Sequence, residues 1–290
     1  MKRDKPTSDQ ILPPVADLVA EKPHSIFKFV DLQGCERTLD YSDLVEADPF
    51  PIPMPVDREG YSPIEHSDRY WATGHGDLLN VKEALNLYYD DAAEQLFDFG
   101  CSTGRFLRHV HCFSELEPHG CDFAPANVEW ANRYLPEEIK IIVNTAQPVL
   151  PYEDETFCIV TAFSVFTHID QNESEWLDEL RRITKPGGLL YLTVQNQAAW
   201  KKVVNRPGML DHMKRANKIE GNLEITKSLF EGPMPQEKIS LKMSQADIYN
   251  RNVWVTNDYV KANWTKSLQL MAIANNAHNS FQSVVILRRN

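Results

Sequence analysis

Between residues 96 and 194 the chain alternates between two kinds of segment, and this alternation limits the fold to one class. Short apolar runs stand at LFDF (96–99), at the end of PHGCDF (118–123), at IKIIV (139–143), FCIVTAF (157–163) and LLYLTV (189–194). Stretches with helical spacing lie between them at TGRFLRHVH (103–111), APANVEWANRYL (124–135) and NESEWLDELRRIT (172–184). Pro125 falls near the start of the second stretch, where a missing N–H costs nothing. KPGG (185–188) is expected to stop the third. Strands apolar on both faces, taking turns with helices, build an open parallel sheet covered on both sides. Two later runs, LQLMAIA (268–274) and SVVILRR (283–289), flank the turn-rich NNAHNS. They predict a hairpin-like pair that places one strand antiparallel to the rest. The expectation is an α/β, doubly wound, mostly parallel seven-stranded sheet with helices on both faces and the last strand antiparallel.

The flanks differ from this rhythm. Prolines 49, 51, 53, 55 and 63 favour an extended connector. Residues 1–62 therefore read as an N-terminal extension and 63–290 as the main domain. NVKEALNLYYDDAAEQ (80–95) predicts a helix with Asn80 as its cap. Residues 196–256 read as helices and loops without alternation, an insertion at the sheet edge on the substrate side, of the kind that covers active sites. A net charge of -11 argues against a nucleic-acid partner, since phosphate binding needs clustered Lys and Arg. Five cysteines at irregular spacing argue against a disulfide framework. The start lacks the apolar core of a secretory signal, and no apolar run approaches the ~20 residues of a membrane span. Together these predict a cytoplasmic protein without a membrane partner.

The chemistry turns on QLFDFGCSTGRFLRHV (95–110). Gly100-Cys101-Ser102-Thr103-Gly104 fits a G-x-S-x-G nucleophile elbow, with Ser102 as nucleophile, Asp154 or Asp170 as acid and His278 as base. An elbow also follows several strand–helix units and an oxyanion segment, and neither precedes residue 95. A dinucleotide fingerprint aligned on Gly100 puts Ser102 and Arg105 where glycines let the backbone approach a pyrophosphate. The pattern that fits throughout is Asp98-x-Gly100-x-x-x-Gly104: an acid at a strand end, then two glycines flanking a turn. The following helix offers free N–H groups and the positive end of its dipole, which suit a carboxylate. Asp122, at the end of the next strand, stands where an acid takes hydrogen bonds from both ribose hydroxyls. A ribose, a purine and an amino-acid carboxylate without phosphate describe S-adenosyl-L-methionine.

On LFDFGCSTGRFLRHV, GCDFAPANVEWAN, NTAQPVLPYEDETFCIVTAFSVFTHI and EWLDELRRITKPGGLLYLTV, in this order and spacing, the chain resembles the class I S-adenosylmethionine-dependent methyltransferases, with a Rossmann-like fold. The resemblance covers residues 78–195 and, more weakly, 257–290. It implies that Gly100, Cys101 and Gly104 run along the methionine part and that Asp98 engages its amino end. It also implies that Asp122 binds the ribose with Phe123 beside the adenine. Asn144, Thr145 and Ala146 then lie at the adenine, and Phe163 and Ser164 beside the methyl group. Cys158 stands where family members often carry Asp. The function implied is transfer of a methyl group to an oxygen or nitrogen of a small or medium-sized acceptor. The alternative is a catalytically silent cofactor-binding or interaction protein on the same fold.

Several residues carry two readings each. His168 is a candidate general base, or a side chain that fixes its loop. His278 reaches the same crevice, or decorates a surface turn. Tyr70 and Trp71, in RYWATGHGDLL (69–79), close over the cofactor or pack the connector. Trp200, Trp254 and Trp264 shape an acceptor pocket or belong to the core. His109, His111, Cys112, His119 and Cys121 do not follow a common metal-ligand spacing, and no metal is expected.

Overall fold

A computed structural model describes residues 11–20, 22, 25–58, 61–217, 223–242 and 251–290. Seven strands form the central sheet: β1 (Gln95–Phe99), β2 (Glu117–Asp122), β3 (Lys140–Val143), β4 (Phe157–Ala162), β5 (Thr184–Val194), β6 (Leu268–His278) and β7 (Gln282–Arg289). Their order is β6-β7-β5-β4-β1-β2-β3. β7 is antiparallel to both of its neighbours, and the pairings from β5 through β3 are parallel. The chain winds outward from β1 through β2 to β3, then returns to lay β4 on the other side of β1. The strand order therefore reverses between β1 and β4, and a crevice opens there at the carboxyl ends of the strands.

The strand sequences are apolar on both faces because both faces are covered. Leu96, Ile159, Leu189 and Ile286 point into one buried cluster, while their chain neighbours Phe97, Val160, Leu190 and Val285 point into the other. The first cluster is closed by α1 (Ser67–Tyr88), α2 (Leu107–Phe113) and α3 (Pro125–Tyr134). The second is closed by α4 (Glu173–Ile183) and by the short helix Asn257–Asn263.

The local expectations need four corrections. α1 starts at Ser67, so Asn80 is no cap. It lies in mid-helix, buried, and donates to the carbonyls of Val30 and Ala277. The glycines of TGHG do not break the helix, because close packing requires them. A Cβ on Gly74 would stand 2.6 Å from both the Arg105 carbonyl oxygen and the His109 ring. KPGG lies inside β5, where a register shift against β4 absorbs it. The 196–256 segment holds an antiparallel strand pair, Lys238–Lys242 with Arg251–Val255. That pair and the helix Gln197–Lys202 enclose a small core of Trp200, Phe230 and Trp254. Part of the insertion, 218–222 and 243–250, lies outside the described residues. NNAHNS is no free turn either: β6 runs on to His278, which is fully buried.

The N-terminal residues fold onto α1. The hairpin Ile26–Val30 with Glu36–Asp40 and the short pair Ile11–Pro14 with Pro51–Pro53 surround Val15, Tyr41, Ile52 and Trp71. Trp71 packs this extension and donates through its indole nitrogen to Asp48 at 2.7 Å. Asp48 also takes a bidentate ion pair from Arg108 on α2, at 2.6 and 2.7 Å, and both side chains are buried.

Beneath Trp71, His75 and His109 lie edge-to-face at 5.4 Å. Burial pushes His75 down to about 4 and His109 well below the usual range, so both stay neutral in the fold. A buried histidine with a lowered pKa stabilises the fold fully above its unfolded value near 6.5, and that stability is lost as pH falls toward the folded value. The expected result is a melting temperature that drops between about pH 6.5 and 4, with His75 contributing ~3 kcal/mol. Asp98, pushed up to about 7 by burial, acts in the opposite direction over the same range. The comparison that isolates the effect is therefore His75→Leu against wild type. The variant is expected to show the smaller acid loss in calorimetric melting; equal losses would refute the assignment.

Candidate cofactor site

A cavity of about 390 Å³ opens at the carboxyl ends of β1, β2 and β4. Asp122, Phe123, Asn127 and Asn144 line one end; Tyr61, Phe163, Ser164 and His168 line the other, with Gly100 and Ser102 between them. The volume lies in the range of small-molecule sites, which run roughly 300–1,000 Å³. A smaller inner pocket adjoins it, lined by Arg58, Tyr61, Tyr70, Asp98, Gly100, Cys101 and Arg105.

The first loop is built by its two glycines and by Asp122. Gly100 and Gly104 have φ of +79° and +75°, a region that disfavours side chains. A Cβ on Gly100 would sit 2.5 Å from Val165, so the glycine lets the loop after β4 close against the turn. Gly104 does not border the cavity. Its missing Cβ makes room for Leu135 and Ile141. The turn's amides are also less free than the sequence suggests. Gly100 and Cys101 both donate to the Cys121 carbonyl, and Ser102 N–H donates to Asp122 Oδ2 at 2.8 Å. Asp122 Oδ1 accepts from Ala124 N–H, also at 2.8 Å. Asp122 thus braces both loops that border the cavity.

The remaining expected residues divide clearly. Phe123 is 43% exposed, an apolar ring face beside the cavity. Asn144 is buried and donates to the Thr145 carbonyl. Thr145 and Ala146 follow it in the chain but do not line the cavity. Asp98 accepts from the Thr161 hydroxyl at 2.8 Å and faces the inner pocket with Cys101 and Tyr70, whose hydroxyl meets that of Thr103 at 3.0 Å. Ser164 takes a left-handed φ of +59°, held by its N–H to Thr193 Oγ1 and its hydroxyl to Gln282. His168 lines the cavity and also ties down the insertion, with Nδ1 2.8 Å from the Arg251 carbonyl. The tryptophans are core: Trp200 packs against Phe230 and Trp264 against Phe166 at tilted ring angles.

The hydrolase constellation is not assembled. Ser102 Oγ accepts from Asn127, Asp154 pairs with Arg182, Asp170 pairs with Lys238, and His278 pairs with Asp77.

Four further residues stand in or behind these pockets: Arg58, Arg105, Asp77 and Tyr61. Arg58 is buried and donates to Pro53 O, Ser62 O and Ser67 Oγ. Among the described residues no carboxylate is hydrogen-bonded to it. Arg105 is paired with Asp77 at 2.7 Å, and its guanidinium lies 4.4 Å from the centre of the Tyr61 ring. Burial lifts the Asp77 carboxyl, but the neighbouring His278 and Arg105 outweigh it and hold the group below the usual carboxylate range. Tyr61 belongs to both cavities.

A strand-order reversal, a glycine-hinged loop and an acid at the end of the adjacent strand put this cavity at the switch point of a Rossmann-like sheet. Residues 97–192, a third of the chain, match a family described as a methyltransferase domain. The match marks a methyltransferase domain within this stretch. A curated relative, norajmaline N-methyltransferase of Rauvolfia serpentina, is 28% identical over 117 residues, 37% of this chain and 39% of that protein. The chain thus matches about two fifths of that relative's length. Among solved structures, a protein of Pyrococcus horikoshii has a TM-score of 0.49 at 17% identity, covering 82% of this chain and 96% of its own. An S-adenosylmethionine-dependent methyltransferase of Mesorhizobium loti has a TM-score of 0.49 at 12% identity, covering 71% and 96%. No helix among the described residues is long and apolar enough to cross a membrane.

Proposed function

We propose that this protein transfers the methyl group of S-adenosylmethionine to an oxygen or nitrogen of a small or medium-sized acceptor, in the cytoplasm. The observation that carries this reading is the 390 Å³ cavity, with an acid and an exposed aromatic ring at one end and Tyr61, Phe163 and Ser164 at the other. The residues suit the cofactor: Asp122 for the ribose diol, Phe123 and Asn144 for the adenine, Asp98 for the amino group and Arg58 for the carboxylate. Among the described residues lining the inner pocket, Arg58 is the buried cation with no carboxylate hydrogen-bonded to it. When bound, the cofactor supplies a methyl group already activated on a sulfonium. The protein's task is then alignment, and positioning alone is worth ~7–11 kcal/mol. In this reading residues 1–62 form an extension whose last residues close the cavity, 63–290 form the methyltransferase domain, and 196–256 border the acceptor side through His168 and strand 251–255.

The test is calorimetric binding of S-adenosylhomocysteine together with methyl release from labelled S-adenosylmethionine in the presence of acceptors. Binding without transfer to any acceptor would leave a silent binding protein. Arg58→Gln is expected to weaken S-adenosylhomocysteine binding by about 10–100-fold, the loss of a charge-assisted hydrogen bond. It should leave 5′-methylthioadenosine, which lacks the amino-acid end, unchanged. Equal losses for the two ligands would remove Arg58 from the carboxylate site.

A further inference from the structure

His278 lies 217 residues from Tyr61 and 201 from Asp77 in the sequence, yet the fold joins the three in a line. His278 Nδ1 is 2.9 Å from Asp77 Oδ1. A carboxylate only accepts, so Nδ1 carries the proton. In the neutral imidazole Nε2 is then the acceptor, and two donors stand against it: the Tyr61 hydroxyl at 3.2 Å and the Asn279 amide at 3.0 Å. His278 is fully buried and does not line the cavity, whereas Tyr61 does. Tyr61 stands at the end away from Asp122, its hydroxyl also 3.4 Å from Ser164 Oγ. Arg105 fixes both ends of the line, through its face-on contact with the Tyr61 ring and its ion pair with Asp77. Among the described residues, the charged and titratable groups facing His278 are Asp77 on α1, Arg105 before α2, and Tyr61 from the N-terminal segment; the Phe163 ring, just past β4, covers it at 5.3 Å.

We propose that Tyr61 is the general base of methyl transfer, passing the acceptor's proton to His278, and that the acceptor is consequently a hydroxyl. This rests on the methyl-transfer reading above. In the step, the acceptor oxygen forms its bond to the methyl carbon while the carbon–sulfur bond breaks and sulfur keeps the electron pair. The acceptor's proton moves to Tyr61 Oη, and the Tyr61 proton moves to His278 Nε2. The imidazolium so formed faces the Asp77 carboxylate, and it releases its proton to solvent after the product leaves. A neutral amine attacks without prior loss of a proton, so a built-in relay of this kind serves oxygen. Tyr61 is the catalytic residue; His278 and Asp77 position it and store the proton.

Two measurements test this on the full-length protein. The first is nitrogen-15 NMR of His278 with S-adenosylhomocysteine bound at pH 7.5. The relay requires the neutral imidazole with hydrogen on Nδ1; hydrogen on Nε2, or an imidazolium, overturns it. The second is methyl transfer to two probes of similar size, phenol and aniline. Wild type is expected to methylate phenol, with a rate that rises with pH to a plateau. Tyr61→Phe is expected to lower that rate by about 100-fold or more. His278→Gln is expected to lower it comparably and to abolish the pH inflection, with S-adenosylhomocysteine affinity held within about threefold of wild type in both variants. Transfer to aniline but not phenol, transfer to neither, or variants that keep the wild-type rate or pH profile would overturn the proposal. Failure of wild type to bind S-adenosylhomocysteine would instead overturn the functional reading beneath it.

Discussion

Asp122→Ala is expected to weaken S-adenosylhomocysteine binding by about 100-fold or more, since two hydrogen bonds to an ionised carboxylate are lost at ~1.5–3 kcal/mol each. The same loss should appear with adenosine, which keeps the ribose and lacks the amino acid. This separates Asp122 from Arg58, whose replacement should not disturb adenosine. Asp122 also braces Ser102 and Ala124 through their N–H groups, so the variant must be shown to melt near the wild-type temperature before affinities are compared. Asp122→Asn provides the second arm. It retains one acceptor for the loop and should lose less affinity than the alanine variant. Unchanged adenosine affinity in both variants would remove the ribose assignment.

The largest effect on stability is expected at Asp48. Its carboxylate is wholly buried and holds both the Arg108 guanidinium and the Trp71 indole. Removing one partner of a buried pair leaves the other charge unpaired in a low-dielectric interior, which costs ~3–5 kcal/mol. Asp48→Ala should therefore lower the denaturant midpoint strongly and loosen the N-terminal extension from α1 and α2. Arg58 and Tyr61 follow this staple in the chain, so ligand affinity should fall along with stability. Asp48→Ala combined with Arg108→Met removes both charges and should recover much of the stability. A double variant as unstable as the sum of the two singles would show that the pair is not what holds the extension.

The sheet was legible because its signal is local. Runs such as FCIVTA and LLYLTV are apolar at every position, and their spacing leaves room for one helix between them. The order of the glycines and of Asp98 and Asp122 was legible for the same reason: each sits at the end of a strand whose position could be read. What was missed depends on distant contacts. Gly74 and Gly76 fit inside α1 because the Arg105 carbonyl and the Phe27 ring lie against them. Asn80 looks like a cap until the N-terminal hairpin and β6 supply carbonyls for its amide. His278 sits in a sequence made of turn residues, yet hydrogen bonding to β7 and the buried Asp77 carries the strand through them. Tyr61 had no local signal, since its place in both cavities follows from how the extension wraps α1. Gly104 carries a constraint that the motif alone does not reveal: a Cβ there would meet Leu135.

The most direct test of the central claim is the structure of the protein crystallised with S-adenosylhomocysteine. The account predicts density in the cavity with the ribose hydroxyls on Asp122, the adenine against Phe123 beside Asn144, and the sulfur turned toward Tyr61 and Phe163. A ligand bound elsewhere, or one whose ribose lies away from Asp122, would contradict it.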